Sequence, residues 1–260
     1  MAAPAARLQP GSYRRRIRLV NVAATETWGG LEDDFHRFEV TLRHDGARVT
    51  EVTVRSRRWP WSTCPDAAGV LEALVGMPLA DRCTAPAAVL DPHRACTHQF
   101  DLAGLTIAAA ARRHPRRQYD VEVTGPDPAG VTTATLARDG LVRQRWRIAA
   151  PGGGPRRLIE PAPFTEAPWR GGFIAWADRT LPPEEAEEAI VLRRASDIAL
   201  GRGMDLDALE RADELAELMT GICYTMQPEV MPVALRHRGQ IRDFADDPDG
   251  LLAVDDPRLA

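Results

Sequence analysis

Alternation of apolar and polar positions opens the readable part of the chain. Ile17, Leu19 and Val22 mark a first strand within residues 13–22, and Trp28-Gly29-Gly30 reads as a glycine-containing loop after it. Phe38, Val40 and Leu42 then alternate with polar residues up to His44-Asp45-Gly46, and Val49, Val52 and Val54 return beyond it. Asp-Gly between two alternating runs is a hairpin signal, because aspartate and glycine accept the backbone of a tight turn. A second hairpin follows the same logic: Tyr119, Val121 and Val123 alternate, and runs at 133–136 and 141–148 flank Asp139-Gly140.

Helical signals fall between and after these strands. Asp66 is placed to cap a helix over 67–75 that stops at Gly76. Asp91-Pro92 is a second helix start, with Thr97 as the alternative start and His114-Pro115 as the stop near Arg113. After a flexible connection at 150–155, residues 169–176 read as one more strand. Two helices open at Thr180-Leu181-Pro182-Pro183 and at Asp205, closed by Gly201 and Gly221.

Strands gathered in hairpins and about four helices, without regular strand–helix alternation, predict an α+β fold and argue against a doubly wound parallel sheet. The expected organisation is a disordered lead-in at 1–11, an α+β half at 12–118, a second strand-then-helix half at 119–244 and a disordered acidic tail at 245–260.

Composition narrows the chemistry. The 260 residues include 33 basic ones, all arginine, so lysine Schiff-base and Walker-type phosphate chemistry are excluded. The arginine bias reads as a high-GC bacterial coding sequence. A net charge of −4 gives no long-range attraction for nucleic acid, and no apolar run is long enough to span a bilayer. Neither nucleic acid nor membrane is therefore expected as a partner, and the oligomeric state is not legible. Arg14-Arg15-Arg16, Arg57-Arg58 and Arg112-Arg113-His114-Pro115-Arg116-Arg117 read as solvated surface. Four separated cysteines, Cys64, Cys83, Cys96 and Cys223, without an export signal, are expected as reduced thiols in the cytoplasm.

Two of these cysteines carry the candidate chemistry. Cys64 precedes a helix start, where unpaired amides and the helix dipole stabilise a thiolate. From Asp91-Pro92, His93 and Cys96 would share a helix face as a metal pair; from Thr97, Cys96 and His98 would sit at the helix mouth, with Asp101 one turn on to orient His98. The candidate catalytic set is thus Cys64, Cys96, His98 and Asp101, and the candidate ligand set for zinc or iron is Cys64, Cys96, His93 and His98. Cys223 reads as core, and Trp59 and Trp61 as walls of an apolar pocket over Cys64.

Cys64-Pro65-Asp66-Ala67-Ala68, Leu74-Val75-Gly76 and Cys96-Thr97-His98 with Asp101-Leu102 resemble the bacterial family catalogued as domain of unknown function 2889, over most of the chain. That resemblance implies no activity. The layout over 38–113 is more distantly similar to IscU/SufE-type sulfur-transfer and iron–sulfur scaffold domains, which implies converging Cys64 and Cys96 with Asp66 or a histidine beside them. The third scaffold cysteine has no counterpart between Phe38 and Val54. The leading expectation is an enzyme acting on a small organic molecule by thiol or metal chemistry; the alternatives are a sulfur or metal carrier and a non-catalytic interaction module.

Overall fold

The computed structural model describes residues 11–150, 154–253 and 259. Eight strands form one antiparallel sheet: β1 (Tyr13–Ala23), β2 (Glu26–Asp33), β3 (Arg37–His44), β4 (Val49–Arg58), β5 (Arg116–Val123), β6 (Val131–Arg138), β7 (Leu141–Ala149) and β8 (Arg157–Glu160). Their order is β4-β3-β2-β1-β5-β6-β7-β8. Helix α1 (Thr97–Arg112) packs on β1, β2 and β3, while α3 (Pro183–Ile198) packs on β5, β6 and β7, joined by the short α2 (Phe173–Thr180). A one-turn α4 (Ala216–Met219) and several 3-10 turns complete the helical layer. The fold is α+β, and both hairpins lie where the alternation puts them. The boundary at 118/119 falls inside β5, which pairs with β1, so the two halves share one sheet.

Residue alternation along β1 divides the two faces. Tyr13, Arg15, Ile17 and Leu19 are buried under the helices. Arg14, Arg16 and Arg18 point to the other face and donate to the carbonyls of Ala245 (3.0 Å), Leu251 (3.3 Å) and Leu259 (3.1 Å). The C-terminal segment therefore straps the outer face of the sheet, with its own Leu251 and Leu252 buried. The tail expected to be disordered is ordered as far as 253; residues 254–258 and 260, like 1–10 of the lead-in, lie outside the described residues.

Several local expectations change. Trp28-Gly29-Gly30 is the middle of β2, not a loop, and glycine is required there by close packing: a Cβ on Gly29 would lie 2.3 Å from Thr106 Oγ1 of α1. The turn after Cys64 is a 3-10 helix over Pro65–Leu74 with Cys64, not Asp66, at its N-cap. Helix α1 begins at Thr97, the alternative start; Asp91-Pro92 opens only a short turn over Pro92–Arg94. Residues 169–176 form no strand, since the eighth strand is β8 and Phe173 starts α2. The helix expected at Asp205 is broken into 3-10 turns and α4, because the backbone around Arg211 pairs with the 234–236 segment instead: Ala212 N donates to the Ala234 carbonyl at 3.0 Å and Arg236 N to the Glu210 carbonyl at 2.8 Å.

The basic runs are not solvated surface throughout. Arg15, Arg58, Arg112 and Arg117 have buried or nearly buried side chains in ion pairs with Asp33, Glu32, Glu187 and Glu184.

Candidate functional site

The densest polar cluster under the helices starts from β1 and β2. Cross-strand pairing sets Arg15 opposite Asp33, which places a guanidinium and a carboxylate side by side inside the core. Asp33 Oδ2 accepts from Tyr13 Oη (2.7 Å), Arg15 Nε (3.1 Å) and Arg15 Nη2 (2.6 Å). Its Oδ1 accepts from the amides of Phe35 and His36, both at 2.8 Å, and lies 3.0 Å from His36 Nδ1. Burial opposes the charge, yet His36, hydrogen-bonded to it, and the Arg15 guanidinium hold the Asp33 carboxyl well below the usual range.

Arg58 fixes the turn that presents this carboxylate. It donates to the carbonyls of Asp34 (2.8 Å), Asp33 and His36 (3.2 Å), and to Glu32 Oε1 (3.2 Å). A cation from β4 thereby ties three carbonyls of one turn together; those of His36 and Asp34 also accept the amides of Asp33 (2.9 Å) and Arg242 (2.8 Å).

From the opposite side, α1 delivers His98. Its Nε2 lies 3.1 Å from Arg15 Nη2 and 4.0 Å from Asp33 Oδ2, and its ring stacks on that of His36 with centroids 3.8 Å apart. A guanidinium carries only donors, so Nε2 must accept and the proton sits on Nδ1. Burial, the facing imidazole and Arg15 push His98 well below the usual histidine value, and burial lowers His36 too; both rings are neutral near pH 7.

Asp33, His36 and His98 offer ligand atoms within 4.8 Å of one another, a possible metal-binding cluster. Arg15 Nη2, in contact with both Asp33 and His98, already supplies a cation there. A metal ion would have to displace it.

Arg15 and His98 also line a cavity of about 70 Å³ between the sheet and the helices. Its walls are largely apolar, with Ile17, Leu31, Leu105, Ile190 and Val191, and its other charged groups are Asp101 and Arg194. Asp101 does not orient His98; it pairs with Arg194 of α3 at 2.9 Å. Burial raises the Asp101 carboxyl although Arg194 and Arg15 pull the other way. The loop around Cys83 closes one wall, and glycine at 104 permits it: a Cβ there would meet the Cys83 carbonyl oxygen at 2.0 Å.

The expected thiol centre is not assembled around His98. Cys64, Cys96 and Cys223 are near enough that a charge on Cys64 or Cys223 would oppose one on Cys96, and Gln99 Nε2 of α1 donates to the Cys64 carbonyl at 3.1 Å. His98 leaves the helix toward Arg15 instead, and His93 is exposed in the preceding turn. Among the described residues, no three of Cys64, Cys96, His93 and His98 bring ligand atoms within 4.8 Å of one another. The activation expected of Cys64 is reversed: burial pushes its thiol up to about 12, with only a 3.7 Å contact to Thr225 Oγ1 and weaker influences opposing. Burial raises Cys96 as well. Trp61 joins the core, and Trp59 lies tilted against the His237 ring with centroids 5.3 Å apart.

Sequence reasoning missed Arg15, Asp33, His36 and Arg58. Tyr13-x-Arg15-x-Ile17-x-Leu19 puts Arg15 on the apolar face of its strand, a signal overridden by reading three successive arginines as one surface patch. No family model matches the chain, and no curated protein matches it.

Proposed function

We propose that the protein is an enzyme that moves a proton on a small, largely apolar organic molecule carrying one polar group. The observation that carries this reading is the convergence of His98, Asp101, Arg15 and Arg194 on one apolar cavity. Two ion pairs, Arg15–Asp33 and Arg194–Asp101, leave the site close to neutral, which suits a substrate with little net charge. Asp101, raised by burial, serves as the acid–base group; neutral His98 positions the polar group by hydrogen bonding, its tautomer set by Arg15. A cavity of about 70 Å³ has room for the reacting end of a molecule, roughly the space of a handful of waters.

This reading moves the chemistry from thiol to carboxylate and imidazole. Among compounds whose turnover is detected, Asp101→Asn is expected to abolish the reaction and Cys64→Ala to leave it in place. The reverse result, loss with Cys64→Ala and retention with Asp101→Asn, overturns the assignment.

A carrier of sulfur or metal is the second reading, favoured by the nearness of Cys64, Cys96 and Cys223. Persulfide or metal on protein purified without oxygen, read by intact mass and elemental analysis, supports it; a metal-free, unmodified and catalytically competent protein excludes it. Membership of the uncharacterised family 2889 is likewise a proposal, carried by the Cys64-Pro65 and Cys96-Thr97-His98 steps.

A further inference from the structure

A second concentration of charge lies at the C-terminal half of α3, away from the thiols and the Asp33 cluster. The guanidinium carbons of Arg156 and Arg193 lie 4.6 and 4.0 Å from the ring centroid of Trp169. Both arginines share one carboxylate, the half-buried Asp197: Arg193 Nη1 bonds its Oδ2, and Arg156 Nη1 reaches its Oδ1 at 3.4 Å. Arg193 Nη2 donates to the Trp169 carbonyl at 2.5 Å and Arg156 Nη1 to that of Ser196 at 2.8 Å. Arg193 Nε is buried without an acceptor. Arg170, next in the chain after Trp169, is exposed and repels Arg193, as do Arg156 and Arg194.

Such a cluster carries more positive charge than its own carboxylates offset. Asp197 is divided between two guanidiniums, and Asp101 is taken up by Arg194. Burial lowers Arg156 to about 10, and burial with the neighbouring arginines lowers Arg193 to about 9, in groups that ordinarily stay charged at any accessible pH. The indole offsets part of this through its ring face. Planar forks of donors held against an aromatic ring are also the geometry that grips a tetrahedral oxyanion at two oxygens.

We propose that Arg156, Arg193 and Arg170, gathered at Trp169, form a binding site for a doubly charged oxyanion of the phosphate class. The ligand accepts from Arg170 and from the guanidinium donors that Asp197 and the carbonyls of Trp169 and Ser196 do not use, and brings the negative charge the cluster lacks. A phosphate monoester offers two charges and several acceptor oxygens and matches this demand better than a single carboxylate.

Inorganic phosphate is the probe. In calorimetric titrations of the full chain at constant ionic strength, phosphate is expected to bind saturably, and the Tm to rise with phosphate but not with chloride. Arg193→Gln is expected to weaken binding by about tenfold or more, as removal of a charge-assisted fork does. Arg170→Gln changes an exposed side chain and leaves the fold intact; it is expected to weaken binding by about threefold through charge alone. A Tm response equal for phosphate and chloride, or an unchanged phosphate Kd in Arg170→Gln together with Arg156→Gln, overturns the proposal.

Discussion

Arg15 Nη2 of β1 lies 3.1 Å from Nε2 of His98 at the start of α1, so a strand residue and a helix residue fix each other's hydrogen bonding inside the core. The same nitrogen is 2.6 Å from Asp33 Oδ2. One guanidinium thus neutralises the carboxylate, selects the imidazole tautomer and stands where the cluster would receive a metal ion.

Removing that cation has two opposed consequences. Arg15→Ala leaves Asp33 buried without its counter-charge, at a cost of about 3–5 kcal/mol. It also frees Asp33, His36 and His98 as three ligands. Zinc is therefore expected to raise the Tm of Arg15→Ala strongly and that of the wild type little, measured by thermal melts with and without chelator. Equal zinc affinity in both would show that Arg15 does not fill the site.

The two stacked imidazoles make the fold sensitive to acid. His36 and His98 titrate lower in the folded state than near 6.5, their ordinary value, so the unfolded chain binds more protons and stability falls as pH drops below about 6.5. Each contributes a slope of up to about 1.4 kcal/mol per pH unit until its folded value is reached. Asp34 works in the other direction, since burial raises it to about 7 against the pull of Arg202, and its contribution declines as pH rises from about 4 to 7. The difference between wild type and His98→Gln isolates the imidazole: denaturation midpoints at pH 5 and 7 are expected to differ less in the variant. An identical pH profile would contradict a neutral, buried His98.

Gly104 and the Cys83 loop are in backbone contact across the cavity wall. Gly104→Ala places a methyl group 2.0 Å from the Cys83 carbonyl oxygen and is expected to destabilise the fold by about 1–3 kcal/mol, despite the better helix propensity of alanine. Chemical denaturation measures it. A stabilised variant would mean that the loop yields freely.

Cys64 and Cys96 are buried thiols with raised pKa values, and neither is hydrogen-bonded to a cation among the described residues. Iodoacetamide at pH 8 is expected to leave both unmodified in the folded protein and to label both once it is unfolded, as read by peptide mass. Rapid labelling of Cys64 in the native state would restore the nucleophile reading and count against the present one.

How far the sequence could be read follows from which forces are local. The hairpins were legible because alternation and Asp-Gly turns act within a few residues, as at Leu42 to Val49 and Leu136 to Val142. The start of α1 was legible only as one of two choices, because Asp91 bonds the amide of His93 and makes a turn of its own before Thr97. Strand β2 was illegible because Gly29 answers Thr106 and Leu102 of α1, far away in sequence, and a glycine pair after Trp28 carries the local signature of a loop. His98 and Asp101 were found as candidates, with partners assigned by nearness in sequence; the actual partners, Arg15 and Arg194, lie about 80 and 90 residues away, where sheet pairing and helix packing bring them in. The thiols misled for a related reason: helix-start activation assumes solvent, and both Cys64 and Cys96 are under other chain segments.

Methyl NMR on protein labelled at isoleucine, leucine and valine, titrated with fragments of about six heavy atoms, tests the cavity reading most directly. Fragments with one polar group are expected to shift the methyls of Ile17, Leu31, Leu105, Ile190 and Val191 together, and to lose that effect in the cavity-filling variant Leu105→Phe. Fragment shifts that avoid these methyls, or that persist unchanged in Leu105→Phe, would contradict a small-molecule site between the sheet and α1.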